Sequence, residues 1–352
     1  MGWEKAGEKQ GGEMNGESAL NGREGLVFQA DVPLLTADFH AWEIKRTWKR
    51  WEGTLNRGFA TAGPARQSLL TARTPHPHHP IHTTLMPKVT TNGIEMFYEE
   101  RGSGEPLICI MGVTAPGAVW EAHSAEWSKH FRCILGDNRG VGSTDKPVGP
   151  YTTEMMADDY AGLMDALGIK SARVVGCSLG SVIAQQLALR HPQKVKSLIL
   201  MCTWARQDRY GLTTWEHMMK CKAAFRPEDF MHYVHMLIFT KPWFDNDDCW
   251  KGIVEGNAAA GINPAPQPVH AMEAQAAAAM SHNTLDRLGE IKCPTLVIGG
   301  KNDVFTPRWM SEETAAGIPG SDLHLYDNAG HAFHWECLAD FNPRTTEWLL
   351  KH

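Results

Sequence analysis

The 352-residue chain lacks several features that would assign it to a specialised class of protein. It has no hydrophobic run near the ~20 residues that span a bilayer, and its N-terminal residues contain no apolar core of a secretory signal. Its 34 basic residues are outnumbered by 40 acidic ones, so no basic face for nucleic acid is indicated. The eight cysteines include no C-x-x-C pair and no regular framework. We therefore expect a cytoplasmic protein with reduced thiols, no membrane span, no bound metal and no nucleic-acid partner.

Residues 1–85 differ from the rest of the chain because Gly, Glu, Arg and Pro are scattered in them without a sustained period. The stretch TPHPHHPIH at 74–82 would interrupt any helix or central strand. A metal site formed by its four histidines is an alternative, but no Cys or acidic residue accompanies them. We predict that residues 1–85 are a disordered extension and that Met86 is the functional start.

From Met86 onward, the pattern becomes that of an α/β domain. Asn92-Gly93 between two strand-like segments predicts a tight hairpin. Short apolar runs bounded by Gly or Pro predict buried strands at 106–111, 132–137, 172–177, 195–201, 295–300 and 322–326. Helical patterns at 153–167 and 179–190 lie between them. Because strands and helices alternate, we predict a mostly parallel sheet with helices on both faces.

Residues 203–286 interrupt this alternation between two predicted strands. They carry helical patterns, many Met and Trp residues and an Ala-rich run, and they are too long for a simple loop. We predict that this segment is a helical cap over one edge of the sheet. The core of the fold would then comprise residues 86–202 and 287–352.

Apolar residues of the cap and of the loop after the 106–111 strand are candidates for a substrate pocket. They are Met111, Gly112, Trp204, Met218 and Phe225. Further cap residues that could line such a pocket are Met219, Phe230, Met231 and Met236. The alternative is that these side chains only pack the cap onto the sheet. A pocket rich in Met, Trp and Phe would favour a largely apolar ligand.

The pentapeptide Gly176-Cys177-Ser178-Leu179-Gly180 has the pattern G-x-S-x-G. It directly follows one predicted strand and directly precedes a predicted helix, which is the setting that this motif requires. Small residues flank the serine because the turn brings neighbouring backbone close. The motif predicts that Ser178 is a nucleophile at a helix N-terminus.

A serine nucleophile needs a base, and the base needs an orienting carboxylate. His331 follows a glycine in a polar loop after the last predicted strand, and His334 is the second candidate for the base. Asp303 follows a buried strand, at the sheet edge where such folds bind ligands. The backbone N–H groups of Leu179 and Val113 are the expected donors of an oxyanion hole.

From Met86 to the C-terminus, five sequence motifs occur in an order that resembles the α/β-hydrolase superfamily. They are LICIMG, DNRGVGSTD, GCSLG, GGKNDVFTP and Gly330-His331. The resemblance implies a triad of Ser178, Asp303 and His331, with Val113 and Leu179 at the oxyanion. Residues 137–184 look like those of 3-oxoadipate enol-lactonases and related small esterases. The chain departs from the family at Met111, where a His usually precedes the glycine.

The sequence therefore predicts hydrolysis of a small-molecule carboxylic ester or lactone through an acyl-enzyme, without a cofactor. The same triad would also serve a C–C bond hydrolase, a peptidase or thioesterase, or a perhydrolase. A hydrolase-fold ligand receptor is an alternative from another class. Ser178 argues against epoxide hydrolases and haloalkane dehalogenases, which resemble this fold but have Asp at that position. The substrate and the oligomeric state stay open.

Overall fold

The computed structural model describes residues 87–352, so the predictions made for residues 1–85 lie outside the described residues. Eight strands form one sheet in the order β1-β2-β4-β3-β5-β6-β7-β8. In chain order they are β1 (Lys88–Thr91), β2 (Ile94–Arg101), β3 (Glu105–Ile110), β4 (Phe131–Gly136), β5 (Ala172–Cys177), β6 (Val195–Met201), β7 (Thr295–Gly300) and β8 (Asp322–Tyr326). The first two strands pair antiparallel and β2 is antiparallel to β4, whereas the other strand pairs are parallel.

The predicted hairpin is confirmed. Asn92 and Gly93 both have positive φ, at 44° and 77°, and Thr91 pairs with Ile94 across the turn. Positive φ at both central residues is the geometry of a type I′ turn, whose twist suits the flanking strands.

Helices cover the sheet and fill the long insertion. They are α1 (Glu121–Trp127), α2 (Thr153–Ala166), α3 (Leu179–Arg190), α4 (Arg209–Ala224), α5 (Pro227–Ile238), α6 (Lys241–Asp245), α7 (Asp247–Gly261), α8 (Val269–Ser281), α9 (Arg308–Gly317), α10 (Phe333–Glu336) and α11 (Leu338–Lys351). The helix predicted at 153–167 begins where the Thr152 hydroxyl accepts a hydrogen bond from the Met155 N–H at 3.1 Å. Within residues 87–352, no helix combines the length and apolar character needed to cross a bilayer.

The sheet separates two apolar cores, because successive side chains of a strand point to opposite faces. Along β3, Ile108 and Ile110 belong to the core packed by α2 and α3. Leu107 and Cys109 belong to the other core, which Trp127 and Phe341 complete from α1 and α11. The prediction of a mostly parallel sheet with helices on both faces is therefore confirmed.

The segment predicted as a cap contains five helices, α4 to α8, between β6 and β7. The Ala-rich helix α8 buries its small side chains, and this allows its backbone to approach the loop after β4 closely. Gln275 of α8 donates to the Arg139 carbonyl at 2.9 Å and accepts from the Thr114 N–H at 3.1 Å. The insertion is thereby joined to two loops at the carboxyl ends of the strands.

Candidate active site

Ser178 lies in the turn between β5 and α3, with φ 54° and ψ −121°. An L-residue adopts this backbone conformation only where the surrounding structure imposes it. A Cβ atom on Gly176 would overlap the carbonyl of Gly180, and one on Gly180 would overlap the carbonyl of Ile110. The two glycines therefore permit the close approach, and the Ser178 N–H is held by the Met201 carbonyl at 2.8 Å.

The hydroxyl of Ser178 is buried and has no hydrogen-bond partner among residues 87–352. It faces a cavity instead of the protein interior, since Ser178 is one of the residues that line the cavity. A Cβ atom on Gly112 would lie 3.2 Å from the Ser178 Cβ, so the loop after β3 passes directly beside the serine.

The loop that contains Val113 is held on both sides. Asn138 Nδ2 donates to the Met111 carbonyl at 2.7 Å, and the Thr114 N–H donates to Gln275. Among the described hydrogen bonds, neither the Val113 N–H nor the Leu179 N–H has an acceptor. The N–H of Leu179 is at the first turn of α3, where the helix dipole favours negative charge. Two backbone donors are thus available, one on the residue after Ser178 and one in the loop that passes beside the serine.

His331 and Asp303 form a buried pair, with Nδ1 2.8 Å from Oδ2. Because a carboxylate only accepts, Nδ1 carries the proton and Nε2 keeps its lone pair. The other oxygen of Asp303 accepts from the N–H groups of Phe305 and Thr306 at 2.8 and 2.7 Å. The loop after β7 therefore fixes the carboxylate, and the carboxylate fixes the imidazole.

Two opposing effects act on the pKa of His331. Burial lowers this pKa, but the charge of Asp303 and its hydrogen bond raise it by more, so the pKa lies above its ordinary value. The charged imidazolium is therefore stabilised by the site, as a base that receives a proton during a reaction requires.

The structure distinguishes the two candidate histidines. His331 pairs with Asp303 and lines the cavity beside Ser178. His334 also lines the cavity, but its Nδ1 lies 2.9 Å from His123 Nε2 and not against a carboxylate. Only His331 has the orienting acid that a catalytic base needs.

The cavity has a volume of about 570 Å³ and receives residues from both the sheet loops and the insertion. Of the sequence candidates, Met111, Gly112, Val113, Met218 and Met231 line it, whereas Met219 and Phe230 do not. Most of the remaining wall is apolar, and its larger side chains include Ile238, Phe239, Trp243, Ile253, Phe305 and Trp335. Polar side chains are few and none of the lining residues is Lys or Arg.

The predictions for Trp204 and Phe225 are wrong, since neither residue lines the cavity. Trp204 is fully buried, with its ring centroid 6.3 Å from that of Trp215 and 6.5 Å from that of His282. Phe225 caps the C-terminus of α4, is 45% exposed and packs on Tyr233. Trp204 is therefore part of the core, and Phe225 lies at the surface.

Helix α5 contributes one predicted candidate, Met231, and three lining residues that were not predicted from the sequence. Met231, Val234, His235 and Ile238 of this helix line the cavity together. Their spacing of three, four and seven residues puts them on one helix face, so the stripe was visible in the sequence. Met236 points elsewhere and is 57% exposed.

Comparisons with known proteins agree with the fold. A family model described as alpha/beta hydrolase fold matches residues 105–337. BpoC of Mycobacterium tuberculosis, provisionally named a non-heme bromoperoxidase, is 32% identical over 69% of this chain and 93% of its own. The thermophilic esterase of Thermogutta terrifontis is 27% identical, with a TM-score of 0.67 over 75% of this chain and 98% of its own.

The enol-lactonase of Burkholderia xenovorans LB400 is 24% identical, with a TM-score of 0.68 over 76% of this chain and all of its own. At this identity the likeness concerns the fold alone. The match of the family model over more than half of the chain identifies this protein as a member of the α/β-hydrolase family.

Proposed function

We propose that this protein hydrolyses uncharged carboxylic esters or lactones through an acyl-enzyme on Ser178. The observation that carries the proposal is the common cavity of Ser178 and His331, with His331 Nδ1 bonded to the buried carboxylate of Asp303. A strained serine, an oriented imidazole and two free backbone donors are the parts that acyl transfer requires.

In this mechanism, Ser178 Oγ attacks the carbonyl carbon while His331 Nε2 takes the hydroxyl proton. The N–H groups of Val113 and Leu179 bind the oxyanion that forms. The imidazolium then gives its proton to the leaving oxygen, and the ester bond breaks. Water, deprotonated by His331, attacks the acyl-enzyme and releases the acid and the free Ser178 hydroxyl.

The cavity wall favours substrates without a charge. No cation among the lining residues would neutralise a bound carboxylate, and the lining includes the acidic residue Asp248. The 3-oxoadipate enol-lactonases that the sequence resembles are named for a lactone that keeps a carboxylate. The wall of this chain therefore favours an apolar acyl or alcohol group over that substrate.

The test is hydrolysis of p-nitrophenyl esters and small lactones by the wild type and by Ser178→Ala. Removing the nucleophile should lower kcat by several orders of magnitude. Ser197→Ala is the matched control, because Ser197 of β6 is also a buried serine without a hydrogen-bond partner and does not line the cavity. Equal loss in both variants, or no turnover by a folded wild type, would contradict the proposal.

Perhydrolysis with the same residues is a second candidate, and the similarity to BpoC favours it. In that reaction, hydrogen peroxide replaces water in the attack on the acyl-enzyme and the product is a peracid, which oxidises bromide. Peroxide-dependent bromide oxidation that needs acetate and Ser178, without measurable ester hydrolysis, would favour this candidate over the first.

A further inference from the structure

A row of polar side chains lies behind the nucleophile and has no part in the mechanism above. Asn342 Oδ1 is 2.8 Å from His123 Nδ1, and His123 Nε2 is 2.9 Å from His334 Nδ1. His334 Nε2 in turn lies 3.9 Å from the sulfur of Cys177. The row therefore begins on α11, crosses α1 and ends at the residue that precedes Ser178.

The proton positions in this row follow from its outer end. Asn342 Nδ2 donates to the Ala122 carbonyl at 3.0 Å, so Oδ1 is the atom that faces His123 and it must accept. His123 therefore carries its proton on Nδ1, and its Nε2 accepts from the Nδ1–H of His334. This leaves His334 Nε2 with a lone pair.

His334 is on the wall of the cavity beside the reacting serine. His334, Cys177 and Ser178 all line the cavity. Among the described residues, the neighbour of Nε2 is the Cys177 thiol, which is a weak donor at long distance. An O–H or N–H group of a bound molecule would be a stronger partner.

The imidazole of His334 is held in place and stays neutral. Its ring packs on Trp335 with centroids 4.1 Å apart and on Phe333 at 5.8 Å. Burial lowers the pKa of His334 well below its ordinary value and lowers that of His123 to about 4. At neutral pH the His334 ring therefore offers a fixed acceptor and carries no positive charge.

We propose that His334 is a specificity-determining residue whose Nε2 accepts a hydrogen bond from a hydroxyl or amide N–H of the substrate. The inference rests on the proposed function and narrows it. The substrate class is an uncharged ester or lactone that carries a donor group close to the scissile carbonyl. Because the rest of the wall is largely apolar, this acceptor makes the enzyme prefer such substrates over plain alkyl esters.

The test compares three pairs of p-nitrophenyl esters, namely the 2-substituted propanoate, the 2-substituted butanoate and the 3-substituted butanoate, in which the substituent is either a hydroxyl or a methoxy group. Both substituents are polar, but only the hydroxyl can donate. We expect the full-length wild type to favour the hydroxyl ester in at least one pair by about tenfold in kcat/KM, as the net worth of one hydrogen bond allows. A ratio near one in all three pairs would overturn the proposal.

Two substitutions separate the acceptor from the packing of the ring. His334→Asn keeps a donor near the position of Nδ1 for His123 but has no atom at the position of Nε2. His334→Gln places an amide oxygen near Nε2. The hydroxyl preference should fall to about one in the Asn variant and persist in the Gln variant. An unchanged preference in the Asn variant, with its fold verified by circular dichroism, would overturn the proposal.

A binding measurement keeps this test separate from the proposed function. Calorimetry with Ser178→Ala would compare the methyl amides of the same hydroxy and methoxy acids. If no ester is turned over by the wild type, hydrolysis is refuted, while tighter binding of a hydroxy amide that is lost with His334→Asn still supports the acceptor. Equal binding of the two amides in all pairs would refute the acceptor even where hydrolysis is active.

Discussion

The two walls of the cavity differ in what holds their side chains. The sheet-side wall consists of loops that follow β3, β5, β7 and β8, and hydrogen bonds fix these loops. Asp303 accepts two backbone N–H groups, and Asn138 holds the carbonyl of Met111. The insertion-side wall consists mainly of apolar side chains from α5, α6 and α7, which are held by packing.

The two walls meet at one carboxylate. Glu336 accepts from the Gly330 N–H at 2.6 Å and from the Thr240 N–H at 2.7 Å, so it ties the His331 loop to the start of α6. The Ala332 N–H also donates to the carbonyl of Ile238, the last residue of α5. In the proposed function, the hydrogen-bonded loops of the sheet carry the chemistry, whereas the insertion shapes the space that a substrate enters.

The largest effect is expected from removing the carboxylate of Asp303, which holds His331 in the sheet-side wall. Asp303→Asn leaves a side chain of the same shape but removes the acceptor that keeps the proton on His331 Nδ1, so kcat should fall by about 10³- to 10⁴-fold. Turnover of the best p-nitrophenyl ester gives the measurement.

Asp208→Asn is the matched control for this change. Asp208 also accepts a backbone N–H, that of Gly211, but it caps α4 and does not contact the imidazole. Its variant should keep kcat within a few fold. A comparable loss in both variants would mean that Asp303 acts only through stability.

The sheet-side wall could be predicted from the sequence because its features are local. The strands at 172–177, 195–201 and 295–300 have the predicted bounds, since buried strands are apolar runs that end at Gly or polar residues. The strand at 322–326 also has the predicted bounds, but the prediction that it is buried is wrong, because it is the edge strand of the sheet and its side chains are exposed or half-buried. The turn at Ser178 needs small residues at fixed offsets, and these are visible in five letters of sequence.

For the insertion-side wall, the sequence predicts a group of helices and two of the lining residues, Met218 and Met231, but not the others, because long-range packing decides which side chains face the cavity. Trp204 and Trp243 look alike in sequence. Trp204 is buried against Trp215 and His282, whereas Trp243 stacks on Phe239 and lines the cavity. The acceptor of His334 likewise depends on His123, which is 211 residues away in the chain.

A smaller effect, on selectivity, is expected from opening the insertion-side wall. Met231→Ala enlarges the cavity, so the kcat/KM ratio of a longer to a shorter acyl chain should rise by about tenfold. Met236→Ala removes the same side chain from the exposed face of α5 and should leave this ratio unchanged. An equal shift in both variants would show that α5 acts through stability and not through contact with substrate.

The smallest expected effect is a shift of the pH profile of kcat/KM. It tests whether the insertion-side wall influences the pKa of His331. In the proposed function, His331 acts as a base only when neutral. Because its pKa is raised, kcat/KM should fall as the pH is lowered, with an inflection above the ordinary imidazole value of 6.5. The pKa values of His123 and His334 are lowered, so these residues stay neutral through this range. Asp303→Asn removes the two largest causes that raise the pKa and leaves the smaller effect of Cys177 and the burial that lowers it, so the inflection should move to more acidic pH.

Met231→Ala should leave the inflection where it is, because its side chain carries no charge and makes no hydrogen bond to the imidazole. The measurement is the pH profile of kcat/KM for a neutral ester in all three proteins. If Met231→Ala moved the inflection as far as Asp303→Asn does, the electrostatics of the base would depend on the insertion. The proposal that the sheet-side wall alone sets the chemistry would then be wrong, even if every residue has the position described.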